Sequence, residues 1–201
     1  MGQKFSSSYL NCFPRNLTSK ENLDSGEDQY IVGYGSLIKT ESKNRMCENT
    51  GENIPVLITG FTRAWNCKGV STSFSTTELF YNRMEVTHDN VSLLNSTAKL
   101  PSGKFWIYVT KPEFQELSSK KYPIIQSYVD TFLSGCLEMQ QTHNVEKFTD
   151  NCTKTTAGWS NHWVNDRIFP RRPFVHEPNA TKIDKLLDKH FPEEFKAIRI
   201  E

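Results

Sequence analysis

The sequence predicts strands in its first half and helices in its second, the order of an α+β domain. Two observations carry this. β-branched and aromatic residues gather in short runs near 30–33, 54–66, 79–87 and 103–110, each bounded by Gly, Pro or polar residues. Beyond Pro112 the apolar spacing changes from the strand period of about 2 to the helix period of about 3.6.

Taken in order, Tyr30-Ile31-Val32 is the first strand; it ends in Gly33, and Tyr34-Gly35-Ser36-Leu37 carries the chain into a loop. A polar segment, 39–53, leads to a second strand beginning at Ile54 and bent at Gly60 before Phe61-Thr62-Arg63. Residues 79–87 alternate as a third strand, and residues 103–110 form a fourth, stopped by Lys111-Pro112. Pro123 stands where a first helical residue belongs. Ile124, Ile125, Tyr128, Val129, Phe132, Leu133, Cys136 and Leu137 then make one apolar helix face. Val145, Phe148 and Cys152 indicate a short second helix. Asn179 can cap a third, with Ile183, Leu186, Leu187 and His190 as its buried stripe and Pro192 after its stop. The intervening loop, 158–173, carries Trp159, Trp163, Arg167, Arg171 and Arg172; its tryptophans are expected to pack on the core rather than to contact a substrate.

The 201 residues suit one folded domain, 30–201, preceded by a flexible segment, 1–29, whose Ser, Asn, Asp and Glu lack apolar periodicity. With 24 basic and 23 acidic residues the net charge is +1, which argues against nucleic acid as a partner. Cys12, Cys47, Cys67, Cys136 and Cys152 are odd in number and widely spaced, as expected of reduced thiols rather than a disulfide framework or zinc knuckle. His88, His143, His162, His176 and His190 lack ligand spacing, so no metal site is expected. No apolar stretch reaches membrane-spanning length and no secretory h-region is visible, so the expected location is cytoplasmic.

The N-terminus adds one qualification. Met1-Gly2-Gln3-Lys4-Phe5-Ser6 fits the N-myristoylation pattern, with acylation at Gly2 after removal of Met1. A single myristoyl chain gives only marginal membrane binding, on the order of 10⁴ M⁻¹. Stable peripheral attachment needs a second element, for which Cys12 is a palmitoylation candidate.

Two glycines around an aromatic let the backbone at Tyr34, Gly35, Ser36 and Leu37 approach a ligand, so that main-chain N–H groups and the Ser36 hydroxyl can converge on an anion. An ordinary strand-end turn accounts for the same residues. Strand parity places Glu78 with Phe80, Met84 and Val86, opposite Leu79, Tyr81, Arg83 and Glu85. A carboxylate on an inward face is expected to have a raised pKa, suited to taking and returning a proton. Arg83 and Glu85 look like a solvated pair.

Gly33-Tyr34-Gly35-Ser36-Leu37, then Gly60-Phe61-Thr62-Arg63, then Glu78, Tyr81 and Arg83 as Glu-x-x-Tyr-x-Arg, then Trp106-Ile107-Tyr108-Val109, together resemble the gamma-glutamylcyclotransferase-like family. The resemblance runs from about residue 30 to 173 and includes Tyr122-Pro123-Ile124-Ile125-Gln126-Ser127-Tyr128-Val129-Asp130 and Trp163-Val164-Asn165-Asp166-Arg167. It implies a small mixed, barrel-like sheet with flanking helices. The implied reaction is cyclisation of a γ-glutamyl amide to 5-oxoproline with release of an amine or amino acid, a carbon–nitrogen lyase-type chemistry without metal or cofactor. Glu78 matches the family's general acid/base, residues 34–37 its glutamyl-binding turn, and Tyr108 is a further candidate for the pocket wall.

The chain departs from the family in one place. Relatives carry a strand and a helix between the Gly-Phe-x-Arg strand and the catalytic glutamate, whereas only residues 72–77 stand here, with Thr77 in place of an arginine. That departure supports the alternative function, an inactive relative serving as a membrane-tethered binding or scaffold module. A thiol enzyme built on Cys67 or Cys136 is the weaker third reading, since Cys136 lies on the apolar helix face.

Overall fold

The computed structural model describes residues 4–10, 28–46, 50–68, 80–94, 99–171 and 177–200. Its main element is a six-stranded sheet in the order β5-β7-β2-β1-β3-β6. The strands are β1 (Lys4–Leu10), β2 (Gln29–Gly33), β3 (Ile54–Thr59), β5 (Tyr81–Val86), β6 (Val91–Leu93) and β7 (Lys104–Thr110). β2 runs parallel to β7, with Tyr30 opposite Phe105, and the other pairs are antiparallel. Among the described residues the sheet is open, with β5 and β6 as its edges, rather than closed into the expected barrel-like form. Closure needs those two edges to pair, and β6, three residues long, pairs only with β3.

β1 is the largest departure from the sequence reading, which left residues 1–29 outside the fold. It lies between β2 and β3, with Tyr9 opposite Val32 and Phe5 opposite Ile58. A strand paired on both edges is held by its main chain, and main-chain pairing leaves no compositional trace. Its serine-rich sequence therefore read as a spacer. Residues 11–27, Cys12 among them, and Gly2 lie outside the described residues.

The buried apolar residues form two main cores. Val32, Val56, Ile58, Val86, Val91, Phe105 and Ile107 form one on the sheet. The other surrounds helix α2 (Gln126–Thr142), where Val129, Phe132, Leu133 and Cys136 meet Ile38, Phe148, Cys152, Trp163, Ile183 and Leu187. These partners come from the turn after β2, from α3 (Phe148–Lys154), from β10 (Trp163–Asn165) and from α4 (Ala180–His190). α1 (Thr40–Met46) follows the turn, and α5 (Pro192–Lys196) ends the helical layer, with Pro192 opening a new helix instead of only following a stop.

The helix expected to begin at Pro123 begins at Gln126. Ile124–Ile125 is instead a short strand, β8, parallel to Trp163–Val164 of β10, which in turn pairs with β11 (Arg199–Ile200). The cause is Asp166. Its buried carboxylate accepts from the Ser127 N–H at 2.8 Å and the Ser127 hydroxyl at 2.7 Å, so one first-turn N–H is capped from a distant strand end. Next to it Arg167 joins Asp130 of α2 to Asp184 of α4, each at 2.8 Å. The two tryptophans of this region do pack on the core: Trp163 is fully buried, and Trp159 stacks on Phe191 with ring centroids 5.0 Å apart.

Candidate active site

β2 delivers the Tyr34-Gly35-Ser36-Leu37 stretch to the edge of the helical layer. A single 3₁₀ turn (Ser36–Ile38) follows, closed by the Ile38 N–H on the Gly35 carbonyl at 3.1 Å and anchored by the buried Ile38 side chain. Asn53 ties the turn down, its amide donating to the carbonyls of Ile38 at 2.9 Å and Leu37 at 3.2 Å. Gly35 is required by space, not by its φ of −132°. A Cβ there would sit 2.5 Å from the Tyr128 hydroxyl, which accepts the Ser36 N–H at 3.4 Å. Two turns later in α2, a Cβ on Gly135 would meet the Lys39 nitrogen at 2.5 Å. Helix and turn are therefore in backbone contact.

Arg63, in the short strand β4 (Arg63–Ala64) beside β9 (Thr156–Ala157), fixes the turn from behind. Its buried guanidinium donates to the Thr156 hydroxyl at 2.8 Å, the Cys152 carbonyl at 3.1 Å, the Thr155 hydroxyl at 3.3 Å and the Tyr34 carbonyl at 3.3 Å. It also lies 4.7 Å from the Phe132 ring centroid.

These parts border a cavity of about 520 Å³ lined by Tyr34, Arg63, Cys67, Tyr81, Tyr108 and Tyr128 among others. The Tyr34 hydroxyl donates to the Tyr108 carbonyl at 2.5 Å and that of Tyr81 to the Cys67 sulfur at 3.7 Å. Burial pushes the pKa of Tyr34 well up, with Tyr128 and Cys67 nearby adding to the effect. Burial does the same for Tyr81, followed by Tyr34 and Tyr128. Both hydroxyls stay protonated at physiological pH. The cavity wall thus combines protonated phenols and aromatic rings with the charged Arg63, Glu116, Lys121 and Arg171.

Of the expected site residues, Tyr34 and Tyr108 line the cavity, and Gly35, Ser36 and Leu37 form the turn beside it, where Leu37 packs with Tyr108 on Ile31. The Ser36 hydroxyl makes no hydrogen bond among the described residues. Glu78, the 72–77 connection and Gly2 lie outside the described residues. The parity expected around Glu78 does not persist along β5. Met84 is 45% exposed and only Val86 is buried, while Tyr81, of the opposite parity, lines the cavity. Arg83 lies over Trp106 at 4.5 Å rather than pairing with Glu85. Among the described residues β5 is an edge strand, paired only with β7.

The sequence reading missed the roles of Arg63, Tyr81 and Tyr128. For Tyr128, a hydroxyl in an otherwise apolar helix face was the available signal, because a half-buried phenol needs a hydrogen-bond partner. Among the described residues no group of His, Cys, Asp or Glu is arranged to hold a metal, and no helix is long and apolar enough to cross a membrane.

Lys39, which ends the turn, pairs with Glu177 at 3.1 Å just before α4. Burial raises the Glu177 pKa, but hydrogen bonds from Ser134, the Asn179 N–H and Lys39 outweigh it and leave the carboxyl below its ordinary value of 4.5. The contribution to stability is thus complete above that value and lost as pH falls through the lowered one. Thermal unfolding followed from neutral to acid pH should show Glu177→Gln less stable than wild type at neutrality, with the gap closing below the ordinary carboxylate range.

No protein-family model, no curated protein and no solved structure matches the chain.

Proposed function

We propose that the chain is a gamma-glutamylcyclotransferase acting on a small γ-glutamyl amide. The observation that supports this reading is convergence: Tyr34, Arg63, Tyr81 and Tyr108, one from each of four motifs distant in sequence, border one cavity. In the proposed reaction Glu78 removes a proton from the substrate α-ammonium, and the freed amine attacks the γ-carbonyl. A carbon–nitrogen bond forms and the carbonyl electrons move to oxygen. Main-chain N–H groups of the 34–37 turn hold the glutamyl group and stabilise that oxyanion. Glu78 then returns its proton to the departing nitrogen as the old carbon–nitrogen bond breaks. The ring nitrogen gives up its second proton to the re-formed Glu78 carboxylate, from which it passes to the released amine, and 5-oxoproline leaves with an ammonium or amino acid. The balance is complete without a metal or cofactor. Incubation with γ-glutamyl dipeptides should release 5-oxoproline and the second amino acid in equal amounts, measured by chromatography. No release from any γ-glutamyl dipeptide or amine would reject the reading.

The short connection before Glu78 favours one second reading, an inactive relative that binds without turnover. Saturable calorimetric binding of a γ-glutamyl dipeptide with no 5-oxoproline would establish it. In either case acylation at Gly2 is proposed to bring the chain to membranes, and incorporation of a myristate analogue that disappears in Gly2→Ala is the expected result.

A further inference from the structure

The geometry points to a docking surface beside the cavity mouth, at which Ile168 and Phe169 insert into an anionic lipid bilayer. These consecutive residues are 62% and 80% exposed. Their exposure is built in, because both ends of the loop are pinned. Before them Arg167 is held by Asp130 and Asp184; after them the Arg171 N–H donates to Asp166 at 2.7 Å. The tip is thus presented to solvent when a looser loop would fold it onto the core.

The surroundings supply the second element of an interfacial site. Arg171, two residues beyond Phe169, lines the cavity, as do Glu116, Ser118 and Lys121 of the facing loop. That loop carries Leu117, 66% exposed, and the exposed Lys120 and Lys121; its Glu116 is paired with Lys68 at 3.6 Å. Leu117 with the exposed Lys120 and Lys121 stands on one loop and Ile168 with Phe169 on the other, and both loops border the same cavity. Their apolar and cationic side chains match the headgroup boundary of an anionic leaflet. A protruding tip of two side chains suits a deformable lipid surface better than a protein partner, which would have to offer a preformed socket. The site is separate from Gly2 and from the catalytic reading, and neither is needed for it.

The test is co-sedimentation of the full, unacylated chain with vesicles of phosphatidylcholine alone or with added phosphatidylserine. Binding is expected only to the phosphatidylserine vesicles, weakening as salt rises. The double substitution Ile168→Ser with Phe169→Ser should lower it by about tenfold or more, and Lys121→Glu should lower it separately. All these side chains are exposed, and unchanged thermal unfolding checks that each variant is folded. Absence of binding, equal binding to both vesicles, or wild-type binding by the double variant would overturn the proposal. So would a wild-type dimer in sedimentation velocity that the double variant abolishes, since the tip would then belong to a second copy.

Discussion

Glu78→Gln is expected to lower the rate of 5-oxoproline formation by about 10²–10⁴-fold, the range that general acid–base catalysis supplies. Glutamine keeps the shape of the side chain and its capacity to hydrogen-bond, but it can neither take the α-ammonium proton nor return one to the leaving nitrogen. The cavity has no ready substitute among its phenols. Burial pushes the Tyr34 and Tyr81 hydroxyls up, so neither is an anion able to act as base near neutrality. The loss should therefore fall on kcat, with KM for a γ-glutamyl dipeptide little changed, because the 34–37 turn proposed to hold the glutamyl group is left intact. Steady-state kinetics checks the split, and an unaltered unfolding transition checks that the substitution is isosteric. Equal turnover by wild type and variant would remove Glu78 from the reaction.

The legible parts of this fold are those that side-chain pattern dictates. Val56 and Ile58 alternate on β3, and Val129, Phe132, Leu133 and Cys136 recur at helical spacing on α2; both patterns exist because one face of each element is covered. What escaped is structure dictated by the main chain or by a single distant group. β1 is joined to the sheet by backbone pairing on both sides. The start of α2 is set by Asp166, 39 residues away, so Ile124 and Ile125 read as helix although they form a strand. At the cavity, Tyr34 stood out through the glycines around it, and Tyr108 only as a pocket candidate given by the family resemblance. Arg63 was visible as part of the Gly60-Phe61-Thr62-Arg63 motif, but its role was not, because a buried guanidinium among carbonyls and hydroxyls has no periodic signature.

That same guanidinium makes Arg63→Met the substitution with the largest expected cost in stability, about 3–5 kcal/mol. Methionine keeps an apolar side chain but loses the guanidinium over Phe132 and donates nothing. The carbonyls of Cys152 and Tyr34 and the hydroxyls of Thr155 and Thr156 lose the charged donor they share. Hydrogen bonds to a charged group are worth about 1.5–3 kcal/mol each, and a buried acceptor left unmet costs about 1–3 kcal/mol. The losses are not additive, since relaxation and water entry recover part of them. Against a total stability of about 5–15 kcal/mol, the expected fall in Tm is about 6–20 °C. Arg63→Lys should recover only part of it, because one ammonium cannot reach acceptors that a planar fork spans. Well below the variant's Tm a second effect should remain. The Tyr34 carbonyl is released, the turn loses its support from behind, and binding of a γ-glutamyl ligand weakens in the folded protein. Calorimetric titration separates the two effects: an Arg63→Met protein unfolding within about 1 kcal/mol of wild type and binding as tightly would show that β4 and the turn are held by packing alone.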